Sequence, residues 1–277
     1  MAEAVSTAGG LTPPPDWALA RVPGLETGEP PLRVERLGGG TVNQVFRIDS
    51  RAGRFVLRLD GPSWRRPGVD RGRELQLHRA AAAAGIAPAL LRAAPDAHGL
   101  LVSEFHEGRI WRDADYGERG SLRRLGERLQ RLHAITPPRV APFDPWQVAQ
   151  GYVRQIGPGH AAALAAVLAR LRGATAAVRT GAASRCIVHG DLWQGNVLQA
   201  RRVWLLDWEY AQLADPLMDL ACVLAYYPAA RRHRLDLAAA AGLSSRALAR
   251  ELAPRVYVYR ALSWLWHLAR AETGEPP

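Results

Sequence analysis

One stretch constrains this chain more than any other: His189-Gly190-Asp191-Leu192-Trp193-Gln194-Gly195-Asn196, entered from the apolar run Cys186 to Val188 and followed by a second short β-like run that ends at Asp207. A strand, a polar loop and a returning strand bring Asp191, Asn196 and Asp207 out of neighbouring strand ends, where three oxygen-bearing side chains can converge on one point. Any one of these residues alone reads as a turn former or, for His189, as a packed histidine. The ordered set at this spacing reads as a site.

The chemistry that needs such a set is phosphoryl transfer from ATP. One carboxylate accepts the proton of an incoming hydroxyl, while an amide oxygen and a second carboxylate hold Mg²⁺ against the phosphates. Composition narrows the alternatives. All 36 basic residues are arginine, so a lysine nucleophile, a Schiff base and a P-loop lysine are excluded. The net charge of +10 does not imply nucleic-acid binding, because the arginines are interspersed with acids rather than grouped in one run. Cys186 and Cys222 sit in apolar runs and are read as packing residues without a disulfide or metal role. No long uncharged apolar run and no basic, apolar leader is present, so no membrane partner and a cytoplasmic location are expected.

Along the chain, residues 1–30 are rich in Pro and Gly and read as a loose tail, with a short helical turn near Trp17 to Arg21. Arg33 to Leu37, Val42 to Ile48 and Arg54 to Leu59 read as an antiparallel meander, and Leu100 to Phe105 as a further strand. Asp70 to Ala84 has helical spacing and stops at Gly85. From Ser121 the leucines at 122, 125, 129 and 132 mark helix, as do Ala161 to Val178 and the segment after Asp215. The expected fold is α+β: a tail (1–30), a small β-rich lobe (31–105) and a larger helical lobe (106–277).

The segments HGDLWQGNVL and LLDWEYAQLADPLMDLA together resemble the aminoglycoside phosphotransferase, choline kinase and thiamine kinase superfamily, whose members share a bilobal protein-kinase-like fold. The resemblance implies Asp191 as catalytic base, Asn196 and Asp207 as magnesium ligands, His189 as orienter of the loop and Asp219 as its brace. Gly38, Gly39, Gly40, Thr41 and Asn43, between two strands, suit a phosphate cover, since glycines let backbone amides approach anionic oxygens; they resemble the nucleotide loop of choline-kinase-like proteins. Arg58 and Glu74 take the places of the strand cation and helix glutamate of that fold. Arginine stands where lysine is common, as in the choline and thiamine kinase branches, and keeps charge and donors for phosphate. Backbone groups near Glu104 and His106 are expected to meet adenine.

The acceptor is less tightly specified. Tyr257 and Trp264 are seven residues apart, as are Tyr259 and Trp266, so each pair shares one helix face. This run resembles the aromatic C-terminal segments of choline and thiamine kinases. Aromatic walls suit a quaternary ammonium or thiazolium group, and Glu209 can face such a cation; the alternative is that all four rings are core. Between Arg231 and Arg270 the acids are Asp236 and Glu251 against eight arginines, which disfavours a polycationic aminoglycoside. The expected activity is phosphorylation of a small cationic alcohol, with an aminoglycoside phosphotransferase or a silent kinase-like binding protein as alternatives. Oligomeric state is not legible.

Overall fold

The computed structural model describes residues 13–38, 43–61, 65–96, 98–181 and 185–272. The chain divides into two compact units, Met1–Arg65 with Pro88–Glu107 and Arg66–Ala87 with Gly108–Pro277.

The first unit contains α1 (Asp16–Leu19) and five strands, β1 (Arg33–Arg36), β2 (Asn43–Ser50), β3 (Gly53–Asp60), β4 (Leu90–Ala94) and β5 (Leu100–Glu104), in the sheet order β1-β2-β3-β5-β4. All neighbours are antiparallel. Strand alternation builds its core: Phe46 and Ile48 of β2 and Phe55, Leu57 and Leu59 of β3 point to one face and are buried. Ala18, Val22 and Leu25 fill the same core, and Ser50 Oγ donates to the Pro23 carbonyl at 2.6 Å. The expectation of a loose tail through residue 30 is therefore corrected from Pro13 onward. Three small apolar side chains are enough to dock a Pro- and Gly-rich segment that has no periodicity of its own. Strand β4 was not anticipated, because its burial is uniform rather than alternating.

The second unit holds α2 (Arg71–Ala83), β6 (Arg109–Ile110), α3 (Arg119–His133), α4 (Pro145–Val153), α5 (Ala161–Gly181), β7 (Cys186–Val188), β8 (Val197–Gln199), β9 (Val203–Leu205), β10 (Gln212–Ala214), α6 (Leu217–Tyr226), α7 (Arg234–Ala240) and α8 (Ser245–Glu272). Asp70 caps α2 by accepting from the Arg73 amide at 2.9 Å, and Asp144 caps α4 from the Trp146 amide at 3.0 Å. The leucines of α3 at 122, 125, 129 and 132 are all fully buried, as their spacing requires. Helix α2 belongs to this unit rather than to the strand unit in which the sequence reading put it. Leu77, Ala81 and Ile86 join the helical core, Arg73 Nε donates to the Ala211 carbonyl at 3.0 Å, and the Leu205 amide donates to the Ile86 carbonyl at 3.0 Å.

Among the described residues, Pro158–Val178 is the one segment long and apolar enough to cross a membrane by length and composition, with a mean hydropathy of 1.4. The segment also carries Arg170 and Arg172, whose guanidinium groups lie over the Tyr257 and Trp146 rings of the same unit.

The short strands β7 and β10 pair antiparallel, and β6, β8 and β9 form a second small sheet. These strands present the polar loops. The buried pair Arg255–Asp215 ties α8 to the start of α6, where the Leu217 amide also donates to Asp215 at 2.8 Å.

Candidate active site

Strand β7 is buried along its whole length and delivers the chain to His189 and Gly190. Gly190 has φ +77°, and a Cβ there would lie 2.6 Å from the Tyr210 carbonyl oxygen, so both backbone and space demand glycine. The turn is held from below by Asp219 of α6, which is fully buried. Its Oδ1 accepts from the Gly190 amide at 3.0 Å; its Oδ2 accepts from the His189 amide at 3.2 Å and from His133 Nε2 at 2.9 Å.

The hydrogen bonds assign the His189 tautomer. Nδ1 accepts from the Asp191 amide at 3.3 Å, so Nε2 carries the proton and donates to the Leu206 carbonyl at 2.9 Å. The ring is fully buried against Trp208 with centroids 4.8 Å apart, and burial pushes its pKa below the usual histidine value. His189 is thus a neutral strut between the loop and the strand that returns to Asp207.

Asp191 and Asn196 are in direct contact. Asn196 Nδ2 donates to the Asp191 carbonyl and to its Oδ2, both at 2.9 Å. A carbonyl only accepts, so the amide orientation is settled, and Oδ1 of Asn196 is the end open to a cation. The Leu206 amide donates to the Asn196 carbonyl at 2.9 Å. Leu206 is therefore gripped on both sides of its residue, by Asn196 and by His189, and Asp207 follows with φ +56°. That left-handed backbone is uncommon outside glycine and is tolerated best by Asp and Asn. The Asp191 carboxyl is held well above the usual carboxylate range, first by burial, then by the charges of Asp207 and Glu209; the Asn196 hydrogen bond opposes the rise.

Three residues that sequence reasoning did not single out as part of the site clamp the same loop. Tyr116 Oη donates to the Leu192 carbonyl at 2.9 Å, and Tyr227 Oη accepts from the Gln194 amide at 2.6 Å. The two rings stack with centroids 3.6 Å apart at 7°. Cys222 Sγ accepts from the Leu192 amide at 3.2 Å, and its thiol is pushed far up by burial. Tyr116 lies 76 residues from its partner, so no local pattern announces it. Removing the Tyr227 hydroxyl in Tyr227→Phe leaves the Gln194 amide without its acceptor, at about 1 kcal/mol. The expected result is a melting point roughly 2–4 °C lower and a severalfold lower kcat, with KM for ATP unchanged; steady-state kinetics and calorimetry check it.

The remaining expected site residues fall as follows. Glu74 and Glu209, both buried, share Arg71, whose Nη1 lies 2.8 Å from Glu74 and 3.1 Å from Glu209. The Glu209 charge is thus engaged within the protein, which corrects its reading as a carboxylate open to a ligand cation. In the strand unit Arg58 is buried in register with Leu101 of β5. Asn43 is buried opposite Asp60, and Gly38 has φ +65°. Gly39, Gly40 and Thr41 lie outside the described residues. The Glu104 amide donates to Ala89 and the Phe105 amide to Arg54, so these two amides serve the sheet rather than a ligand; the His106 ring approaches Glu104 at 3.6 Å.

Of the aromatic run, Tyr257 points away from the loop. Its hydroxyl donates to the Val167 carbonyl at 3.3 Å and Arg170 covers its ring at 4.2 Å, so its reading as a substrate contact is corrected to a helix-packing role. Trp264, on the same face, packs partly buried on the helical core. Trp266 is covered by Arg66 at 5.7 Å and Arg270 at 4.5 Å, so the protein's own cations occupy the ring that was expected to receive a ligand cation. Tyr259 differs: it is buried, its hydroxyl has no partner, and burial pushes its pKa well up. Tyr210 is half-buried, Tyr152 is buried with its hydroxyl donating to the Pro67 carbonyl at 3.1 Å, and Tyr226 is exposed.

No curated protein matches the chain. Among solved structures, a choline/ethanolamine kinase family protein from Mesorhizobium loti aligns at 26% identity over 94% of this chain and 86% of its own, with a TM-score of 0.76. The choline kinase LicA from Streptococcus pneumoniae aligns at 18% identity over 91% and 90%, with a TM-score of 0.74. A thermostable mutant of the aminoglycoside phosphotransferase APH(4)-Ia, in complex with ADP and hygromycin B, aligns at 18% identity over 90% of each chain, with a TM-score of 0.64. These likenesses agree with the α+β, kinase-like fold expected from the sequence. The family described as phosphotransferase enzymes matches residues 33–255, most of the sequence and all of the loop, clamp and brace described above, and the chain belongs to that family.

Proposed function

We propose that this phosphotransferase is a small-molecule kinase that moves the γ-phosphoryl group of ATP onto the hydroxyl of a small cationic alcohol, of the choline, ethanolamine or thiamine kind. The observation that carries the reading is the Asp191 carboxyl group, fixed by Asn196 in the loop between β7 and β8. The acceptor O–H gives its proton to Asp191 as its oxygen bonds to phosphorus; the bond from phosphorus to the bridging oxygen breaks, and ADP leaves. The raised pKa of Asp191 brings it nearer the operating pH, which favours a general base.

Asn196 Oδ1 and the Asp207 carboxylate are hard oxygen donors of the kind that hold Mg²⁺. Bound there, Mg²⁺ supplies charge neutralisation on the phosphates. Gly38, Asn43, Arg58 and the segment around Glu104 and His106 are assigned to the nucleotide. Tyr152, Tyr210, Tyr226 and Tyr259, with Trp193 exposed two residues from Asp191, are assigned to the acceptor cation, each good aromatic contact being worth about 0.5–2 kcal/mol. Relatives described as choline or ethanolamine kinases support this acceptor class.

A coupled ADP-release assay over choline, ethanolamine, thiamine, homoserine, methylthioribose and kanamycin tests the proposal. Turnover is expected with one of the single-cation alcohols and is expected to vanish with EDTA and return with Mg²⁺. A response to kanamycin alone replaces the acceptor class with aminoglycosides. ATP binding without turnover on any acceptor favours a silent binding protein.

A further inference from the structure

We propose that Arg71 is a positioning residue for phosphoryl transfer: by bridging Glu74 and Glu209 it clamps the segment that carries Asp207 onto helix α2. The proposal rests on the reading of Asp207 as a magnesium ligand of a kinase. Arg71 Nη1 lies 2.8 Å from Glu74 and 3.1 Å from Glu209, and the three side chains are at most 6% exposed. Arg71 opens α2, where the positive end of the helix dipole repels a cation and favours Glu74 in the same turn. The helix by itself therefore gives little reason for a buried arginine at that place. The contact with Glu209, 138 residues further on, supplies one.

Residues 206–211, between β9 and β10, belong to no helix or strand. Their course is set by contacts with other segments, and α2 supplies three of them. Arg71 holds Glu209, Arg73 Nε donates to the Ala211 carbonyl at 3.0 Å, and the His78 ring stacks on Trp208 with centroids 5.9 Å apart at 27°. Just before this stretch the Leu205 amide donates to the Ile86 carbonyl at 3.0 Å, beyond the end of the same helix. Asp207, with its left-handed backbone, sits inside this series of contacts and two residues from the bridge.

Of these contacts the bridge is the one between buried charges. Without the guanidinium, Glu74 and Glu209 lose the cation they share, and burying a carboxylate without its partner is costly. Turning Glu209 towards water would carry the backbone at Asp207 with it. A metal ligand tolerates little displacement, and losing the group that orients such a ligand typically costs about 10–100-fold in metal affinity or activity.

The test is titration calorimetry of ADP into the full chain, with Mg²⁺ and with EDTA, alongside melting curves and the coupled assay. Wild type is expected to bind ADP more tightly with Mg²⁺. Arg71→Gln is expected to lose most of that gain while its ADP affinity in EDTA is unchanged. Its kcat is expected to be about 10–100-fold lower, with the acceptor KM unchanged. Arg71→Lys keeps a cation beside Glu74 in its own helix turn, but the shorter side chain falls short of Glu209. It is expected to melt within about 4 °C of wild type and still to lose most of the gain, so the test stands should Arg71→Gln not fold. An arginine that only stabilises the fold would lower the melting point and leave the Mg²⁺ gain and the kcat of the folded protein intact. That result, or an equal loss of ADP affinity in EDTA, overturns the proposal. If wild type itself gains nothing from Mg²⁺, the assignment of Asp207 to the metal falls, and the role of Arg71 falls with it.

Discussion

Replacing Asp191 by Asn is expected to cut kcat by about 10²–10⁴, the usual contribution of a general base, and at the same time to raise the melting temperature at neutral pH. The two effects share one cause. Burial, Asp207 and Glu209 hold the folded carboxyl above its unfolded pKa. Below the unfolded value the group is protonated in both states and costs nothing. As pH rises through the window up to the folded value, the unfolded chain ionises more readily, and stability falls by the linkage between pKa and folding. At neutral pH, above the unfolded value, the wild-type protein bears part or all of that cost.

Asn keeps an oxygen to accept from Asn196 while dropping the charge beside Asp207 and Glu209, so the cost disappears together with the base. For wild type the acid limb of kcat/KM is expected above the usual carboxylate range. Calorimetry and a pH–rate profile decide it: a variant that melts below wild type at pH 7, or one that keeps its turnover, removes Asp191 from this role.

Asp219→Ala is expected to be the most destabilising single change in the molecule's catalytic region. The carboxylate answers the His189 and Gly190 amides and His133 Nε2, all in a fully buried setting. Alanine leaves three donors without an acceptor, at about 1–3 kcal/mol each. A loss of roughly 3–6 kcal/mol is a large share of the 5–15 kcal/mol typical of a folded chain, and corresponds to a melting point roughly 6–20 °C lower.

Asp219→Asn is expected to fall between. Its oxygen still serves one amide, and His133 can change tautomer to accept from the new NH₂, but one backbone donor then faces a donor. Melting curves for the three proteins, with hydrogen exchange at the Gly190 amide, test the ordering. An Asp219→Ala protein within about 1 °C of wild type would show that the loop is held by something else.

Much of this was readable before any coordinates. The spacing from His189 to Asp207 marks the loop because it brings the oxygen-bearing side chains Asp191, Asn196 and Asp207 out of neighbouring strand ends in that order. The leucine spacing of α3 and the alternation in β3 declare their buried faces, since helix and strand periods act over a few neighbouring residues. Strands β4, β6, β8 and β10 escaped notice because segments of two to five residues carry too little pattern, and their stability comes from pairing with distant partners. The aromatic helix misled for a related reason. Periodicity places Tyr257 and Tyr259 on different faces, but only packing against α5 decides which of them turns away from Asp191.

The sequence by itself determined the class of loop: without a lysine, and with Asp191, Asn196 and Asp207 in that order, it pointed to phosphotransferase chemistry. Only the tertiary structure decided what holds that loop and what surrounds it. Asp219, Tyr116, Tyr227 and Cys222 reach it from 30 or more residues away, and His133 supports it through Asp219. Hydrogen bonds and ring stacking between segments so far apart leave no trace in local spacing, because they exist only once the helices have packed and excluded water from around them.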